Sequence, residues 1–151
     1  MHRLEFKSVF SAPITDVWEF FSSPENLGKI TPSSMDFRIV TPVPAKIHPG
    51  LLIGYKVSPF PGMRVRWLTE ITYTEEYRYF IDEQRMGPNR IWHHEHHFRE
   101  IRGGVEMRDV LTYVLPLGFI GRIFDNLLVR KRIKMIFDYR EKKIRELFHY
   151  T

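Results

Sequence analysis

The sequence contains no cysteine. This absence excludes a disulfide framework, a thiolate metal site and a cysteine nucleophile. No apolar run approaches the roughly 18 residues of a membrane-spanning helix. The start, MHRLEFKSVF, also lacks the apolar core and the small-residue cleavage site of a secretory signal. We therefore expect a cytoplasmic protein.

The sequence also lacks internal repeats, low-complexity tracts and long linkers. Its 151 residues are enough for one domain with a substantial core. Hydrophobic residues make up 43% and charged residues 27%, which is typical of a globular chain. We therefore expect a single domain over residues 1–151.

Excess charge of one sign is missing from most of the chain. The formal net charge is +5, and the first 120 residues contain as many acidic as basic residues, so the whole excess lies from Gly121 onward. A basic helix attracts nucleic acid or anionic lipid. Apolar residues interrupt VRKRIK and YREKKIR at helical spacing, and no RNA-binding aromatic motif is present. We expect no nucleic-acid partner, and contact of this helix with a membrane surface stays open.

Alternating and helical patterns predict an α+β domain. RLEFKSVF alternates like a half-buried strand. SAPITDVWEFFSS predicts a short helix capped by Ser11, and SPENLGKI predicts a second helix capped by Ser23. MDFRIV is the next strand candidate, and the prolines of Thr41–Gly50 predict a loop. Five more alternating runs with short turns predict an antiparallel meander.

The segment from Phe119 to Phe148 has helical apolar spacing and no proline. It carries two apolar stripes on nearly opposite sides. The first consists of Ile120, Ile123, Phe124, Leu127 and Leu128, and the second of Val129, Ile133, Ile136, Phe137, Ile144, Leu147 and Phe148. One straight helix cannot bury both stripes against one sheet. We therefore expect a kink, a break or a change of burial partner near Val129.

Four of the seven histidines lie in one stretch, IWHHEHHFREI, residues 91–101. Because residues two apart share a face of a strand, His94 and His96 point to one side and His93 and His97 to the other. The turns MGPN and Arg102-Gly103 predict how the neighbouring strands pair. The predicted opposite pairs are Gln84 with Trp92, Asp82 with His94, Phe80 with His96, His96 with Asp109, Phe98 with Met107, His94 with Leu111, and Trp92 with Tyr113.

The two faces of this predicted sheet differ in charge. The face of His94 and His96 carries only two charges, Asp82 and Asp109, whereas the opposite face carries six. Because burial of charge is costly, the face with two charges should be the inner one. The inward polar groups must then pair with each other, meet water or line a cavity. The opposite pairs offer two hydrogen bonds, Asp82–His94 and His96–Asp109.

The motifs F-x-D-x-Q-x-x-G-P and W-x-H-x-H-x-F, from Phe80 to Phe98, resemble the bacterial ligand-binding branch of the SRPBCC/START-like superfamily. The opening SAPITDVWEFFSSPENLGKITP and the ending from Asp109 to Arg140 resemble it too. The resemblance implies a helix-grip fold, in which a curved seven-stranded antiparallel sheet surrounds a long C-terminal helix in the order β-α-α-β6-α. It also implies a cavity between helix and sheet.

We therefore predict a binding module for a small apolar or amphipathic molecule that is lipid-, quinone- or polyketide-like. The predicted ligand-binding residues are Trp67, Asp82, Gln84, Trp92, His94, His96, Phe98, Asp109, Tyr113 and Phe124. A filled core with a buried polar network is the structural alternative.

Two other site chemistries are open. A cyclase or dehydratase would use the Asp–His pairs in the same cavity as acid–base groups. A metal site would take His94 and His96 with one aspartate. No nucleophile motif or cofactor loop is present, so we expect no cofactor and no resident metal, and we expect binding rather than catalysis.

Overall fold

The computed structural model describes residues 1–116 and 128–148. Seven antiparallel strands form one sheet in the order β1-β7-β6-β5-β4-β3-β2. The strands are β1 (His2–Phe10), β2 (Arg38–Ile39), β3 (Leu52–Phe60), β4 (Met63–Glu75), β5 (Tyr79–Met86), β6 (Ile91–Ile101) and β7 (Gly104–Val114). The predicted meander is confirmed, because each strand from β2 to β7 pairs with the next one along the chain.

Two α-helices and two 3₁₀ helices complete the described fold. The helices are α1 (Ile14–Phe21), the 3₁₀ helices Pro24–Ile30 and Ser33–Met35, and α2 (Arg130–Leu147). None of the helices within the described ranges is long and apolar enough to cross a membrane. The Thr41–Gly50 segment is a loop, as its prolines predict.

The second helix begins where it was predicted to, whereas the first begins two residues later than predicted, and neither serine caps its helix through a side-chain hydrogen bond. Pro13, not Ser11, occupies the N-cap of α1, and it is extended with ψ 149°. A residue before proline is held away from helical geometry, so the helix cannot begin earlier. Ser23 does precede the second helix, but its side chain makes no capping hydrogen bond there. That second helix is 3₁₀ and not α.

The predicted pairing around β6 is confirmed. Asp82 lies opposite His94 and Phe80 opposite His96 on one side, and His96 lies opposite Asp109 on the other. The ladder between β5 and β6 ends at Glu83 and His93, so Gln84 and Trp92 are not a ladder pair.

Glycines at the β6–β7 turn allow this register. Gly103 has φ +87°, a left-handed conformation that glycine adopts without strain. A Cβ on the next residue, Gly104, would collide with the carbonyl oxygen of Phe10 on the neighbouring strand. The two-residue turn therefore joins β6 and β7, which have 11 residues each, without an extra residue.

Helix α2 packs against the inner face of the sheet. Its buried residues are Ile133, Phe137 and Ile144, which all belong to the second predicted apolar stripe. The ring of Phe137 stacks on Phe6 of β1 with centroids 3.9 Å apart. Most of the first stripe, including Phe124, lies outside the described residues, so the predicted change of burial partner near Val129 stays a prediction.

Candidate functional site

A cavity of about 610 Å³ lies between the inner face of the sheet and α2. Its walls are mainly apolar and aromatic, and they come from β3 to β6, the 3₁₀ helices and α2. Lining side chains on the strands include Ile53, Tyr55, Val57, Trp67, Thr69, Ile71, Phe80, Asp82, Trp92, His94 and His96. Lining side chains on α2 are Arg132, Ile133, Ile136, Phe137 and Arg140.

The inner histidines lie at one part of this wall. His94 is 5% exposed and His96 is 6% exposed, which confirms the predicted inner face. The side chains of His93 and His97 remain about one third exposed on the outer face. The charge difference between the two faces therefore predicted the orientation of all four histidines correctly.

The hydrogen bonds of the inner histidines run diagonally and not straight across the strands. His94 Nε2 donates to Asp109 Oδ1 over 2.9 Å, and His96 Nε2 donates to Asp82 Oδ2 over 2.7 Å. The predicted Asp82–His94 hydrogen bond is wrong, because His94 Nδ1 lies 3.8 Å from Asp82 Oδ2. Side chains lean along a strand, so the ring tips reach past the residue directly opposite.

The predicted contact between His96 and Asp109 is short, but its geometry is not that of a hydrogen bond. His96 Nδ1 lies 2.9 Å from Asp109 Oδ1, yet it makes no hydrogen bond of acceptable geometry with a described residue. Asp109 Oδ1 therefore sits close to nitrogens of both inner imidazoles. We call Asp82, His94, His96 and Asp109 the polar cluster.

The carboxylates of the polar cluster are ionised. Burial raises the pKa of Asp109, but the hydrogen bond from His94, the short contact with His96 and the charges of both imidazoles outweigh it and hold the pKa far below its ordinary value. Burial also raises the pKa of Asp82, but the hydrogen bond from His96 together with the charges of His94, His96 and Arg140 lowers it. Both aspartates therefore act as acceptors.

The pKa values of the two inner histidines are shifted in opposite directions. Burial would lower the pKa of His96, but the short contact with ionised Asp109 and the hydrogen bond to Asp82 outweigh it and raise the pKa. For His94, burial and the nearby His96 charge lower the pKa. Because Asp109 cannot donate, His94 must carry its proton on Nε2, so its Nδ1 holds a lone pair. Both nitrogens of His96 face carboxylate oxygens, which favours the protonated form of His96 beside a neutral His94, and the two ring centroids are 3.8 Å apart.

Arg140 is the functional residue that the sequence interpretation missed. Its Nη1 lies 3.8 Å from Asp109 Oδ1, and its side chain is only 13% exposed. The guanidinium carbon lies 4.8 Å from the centroid of the Phe137 ring. Its Nε is buried without a described hydrogen-bond partner. Its position, three residues after Phe137 and four before Ile144, placed it on the buried stripe but did not show which residues of the sheet it approaches.

An aromatic wall adjoins the polar cluster. Trp67 packs edge-on against Trp92 with ring centroids 5.2 Å apart, and it stacks on Tyr55. The Tyr55 hydroxyl hydrogen-bonds Thr69 Oγ1 over 3.1 Å, and burial raises the Tyr55 pKa, so the phenol stays neutral. Trp67 Nε1 is buried without a described partner. This wall offers a few polar atoms on a mainly apolar surface.

Several predicted ligand-binding residues lie elsewhere. Gln84 does not line the cavity, because its amide closes the turn onto Asn89 through Nε2 to the carbonyl oxygen over 2.6 Å. Phe98 packs with the aromatic rings around Trp18, and Tyr113 lies fully buried under α2. Asp109 supports the histidines from behind the cavity wall.

Phe124 is the remaining predicted ligand-binding residue, and it lies outside the described residues. The cavity wall therefore contains Trp67, Asp82, Trp92, His94 and His96 from the predicted set. These five residues come from three neighbouring strands and share the inner face of the sheet.

A metal ion could in principle use the polar cluster. Candidate ligand atoms of Asp82, His94 and His96 lie within 4.8 Å of one another. Binding would require His96 to lose its proton and its bond to Asp82. The guanidinium of Arg140 beside Asp109 also opposes a second cation. The donor set is present, but its hydrogen bonds and its charges favour a metal-free cluster.

Comparison with known proteins places this site in a known architecture. No family model and no curated protein matches the chain. Protein CV1439 from Chromobacterium violaceum has a TM-score of 0.76 at 12% identity, and the match covers 100% of both chains. The crystal structure of Ara h 8.0201 has a TM-score of 0.64 at 15% identity, covering 95% of this chain and 97% of that chain.

The chain has a helix-grip fold. A protein from Thermus thermophilus, TTHA0849, shares it, with a TM-score of 0.74, 18% identity and coverage of 96% of this chain and 95% of that chain. In this helix-grip chain, the C-terminal helix and the inner face of the sheet enclose the cavity, and the polar cluster lies on the sheet side. The predicted fold class is therefore confirmed.

Proposed function

We propose that this helix-grip protein is an SRPBCC/START-like binding module for one small, largely apolar molecule. The observation that carries the proposal is the cavity of about 610 Å³ with mainly apolar walls and the polar cluster at one part of the wall. Ligand pockets of roughly 300–1,000 Å³ combine apolar walls with a few orienting polar groups in this way. The neighbouring structures support a fold that often holds ligands.

The charges of the cluster favour an uncharged polar group on the ligand. Asp82 and Asp109 contribute two negative charges, and His96 and Arg140 contribute two positive charges. An ionised head group would leave one charge uncompensated in a buried site, which is costly. A hydroxyl, ketone or quinone oxygen on an apolar skeleton suits the site better. This fits a quinone-, sterol- or polyketide-like molecule better than a free fatty acid.

Tryptophan fluorescence tests the binding proposal directly. Two of the three tryptophans, Trp67 and Trp92, line the cavity, whereas Trp18 is buried in the core. Titration with a long-chain ketone, the matching alcohol and the matching carboxylate should give saturable fluorescence changes for the uncharged pair. The Trp67→Phe and Trp92→Phe variants should each lose part of that change. No saturable change with any apolar compound would contradict the proposal.

A second candidate function is acid–base catalysis in the same cavity. Its specific support is the opposed protonation of the inner pair, a neutral His94 with a free lone pair beside a protonated His96. Pairs whose pKa values are pushed apart serve as base and acid. His94 Nδ1 would remove a proton next to a ligand carbonyl, and Arg140 would stabilise the resulting enolate. Such chemistry suits a cyclisation or a dehydration.

The His94→Gln variant separates the two functions. If the protein is an enzyme, this variant should bind the substrate but turn it over at least about 100-fold more slowly, as removal of a general base does. Product formation measured by mass spectrometry, with His93→Gln as the control, gives the readout. An unchanged turnover in His94→Gln would remove this candidate, and bound ligand without any turnover in wild type would leave binding alone.

A further inference from the structure

The exposed residues of the described cavity wall lie at one end of the sheet. Only three of the described lining residues are mostly exposed, and they are Met63, Pro116 and Leu128. Met63 is 47% exposed at the β3–β4 turn, and Leu128 is 50% exposed in the helical turn just before α2. The remaining described lining residues are buried or half-buried. We call the end formed by these three residues the mouth.

The start of α2 brings a cluster of cations to the mouth. Residues 128–135 contain Arg130, Lys131, Arg132 and Lys134 and no acidic residue. Arg130, Lys131 and Lys134 are exposed and have no ion-pair partner within the described parts of the chain. Unpaired cations at this density produce a strong local positive potential.

Apolar side chains are interleaved with these cations. At 100° per residue, Lys131 and Met135 share the outer side of the helix, opposite the buried Ile133 and Phe137, and the exposed Leu128 lies in the turn just before the helix. Met135 is 40% exposed. An outer face that mixes lysines with exposed Leu and Met is typical of helices that lie on a membrane surface.

Arg132 connects this helix turn to the other side of the mouth. Its Nε donates a hydrogen bond to the carbonyl oxygen of Pro59 on β3 over 2.6 Å. Pro59 lies just before the β3–β4 turn that carries the exposed Met63. The cationic start of α2 and the β3–β4 turn are thus held together at the same edge of the cavity.

We propose that the mouth docks onto an anionic membrane surface, so that ligand enters and leaves the cavity there. The cations would meet anionic head groups, and Met63, Leu128 and Met135 would enter the head-group region. Nucleic acid attracts the same cations but offers no apolar layer for these three side chains. The docking itself needs no ligand. Only the exchange of ligand at the mouth rests on the proposed binding function.

The second half of α2 provides an internal comparison. After residue 135 the exposed and half-exposed cations are mixed with acids, and Arg145 pairs with Glu141 while Lys143 pairs with Glu146. Lys142 shares the outer side with Lys131 and is also exposed, but it lies eight residues beyond Lys134, about 12 Å further along the helix. It is therefore a matched control for position.

Vesicle co-sedimentation tests the docking. We expect ligand-free protein to bind phosphatidylcholine vesicles that contain phosphatidylglycerol, and to bind pure phosphatidylcholine vesicles weakly. The double variant Lys131→Glu/Lys134→Glu should lose at least about tenfold in affinity, because each lysine near an anionic surface adds markedly to binding. The Lys142→Glu variant should bind like wild type. Added salt should weaken wild-type binding.

The contribution of the apolar side chains to vesicle binding is tested with a separate variant. Met63→Ser/Leu128→Ser should weaken vesicle binding but leave binding to heparin, a soluble polyanion, unchanged. Equal losses in Lys142→Glu and in the double lysine variant would overturn the proposal, as would heparin binding without vesicle binding. Unchanged melting temperatures identify variants that fold normally. Because every arm uses ligand-free protein, failure here is distinguishable from failure of the cavity to bind a ligand.

Discussion

The two faces of β6 carry the same pair of residue types in different surroundings. On the outer face, His93 contacts Glu83 over 2.7 Å and His97 contacts Glu95 over 2.8 Å, with side chains about one third exposed. On the inner face, His94 and His96 contact aspartates at similar distances, yet they are buried. The distances do not distinguish the two faces, so burial is the difference that makes the inner histidines and their aspartates strongly coupled.

The largest expected difference between the faces is in stability. Asp109→Asn removes the charge that faces the His96 imidazolium and Arg140, and it should lower the free energy of unfolding by about 3–5 kcal/mol. Glu95→Gln removes the equivalent charge from the outer face and should cost less than about 1 kcal/mol. Urea unfolding of both variants measures the contrast. Similar losses of stability in the two variants would contradict the expected difference between the faces.

Ligand affinity should depend on the inner face alone. His94→Phe removes a polar group from the cavity wall and keeps a ring of similar size, so it should weaken binding of a polar-headed ligand about tenfold, roughly one hydrogen bond. The stability loss should be smaller than in Asp109→Asn. The matched variant His93→Phe should leave affinity unchanged in the tryptophan titration. If His94→Phe instead destabilises strongly and affinity is kept, the cluster is a packed structural network.

The inner histidines should produce a stability maximum near pH 6.5. The folded pKa of His96 is raised, so its stabilising contribution is fully present below its ordinary pKa of 6.5 and is lost as pH rises through the folded pKa. The folded pKa of His94 is lowered, so its contribution is present above 6.5 and is lost as pH falls through the folded pKa.

Variants assign the two limbs of that profile. In urea unfolding between about pH 5 and about pH 8, His96→Gln should lose less stability than wild type as the pH rises above the maximum. His94→Gln should lose less stability than wild type as the pH falls below the maximum. A profile that keeps both limbs in both variants would show that other groups control the pH dependence.

The smallest effects are expected on the outer face. His93→Gln and His97→Gln each remove one partner of a partly exposed pair, and each should change the free energy of unfolding by less than about 0.5 kcal/mol. Ligand titrations should match wild type. A change above about 1 kcal/mol in either variant would mean that the outer pairs are coupled to the inner cluster.

The orientation of the site could be predicted from the sequence because two strong constraints agreed. Short turns at MGPN and Arg102-Gly103 fixed the register, and the charge count fixed which face is buried. A slip of one residue would have placed six charges inside, so the inner face had no close competitor.

The contacts within the site could not be predicted in the same way. Register gives opposite Cα positions, whereas the His94–Asp109 bond depends on how the side chains lean. Arg140 approaches the cluster from a helix that is distant in sequence, and no turn relates the two. Gln84 was placed inside by its position in the strand, but the glycine and proline after it allow its amide to close the turn.

Native mass spectrometry of the protein purified from cells tests the central claim most directly. The cavity of about 610 Å³ with its polar cluster predicts a mass excess of one small, uncharged molecule on the wild-type chain. The excess should disappear on organic extraction and should be smaller in His94→Phe than in His93→Phe. A bare wild-type chain that also fails to take up any apolar compound added in solution would contradict the account.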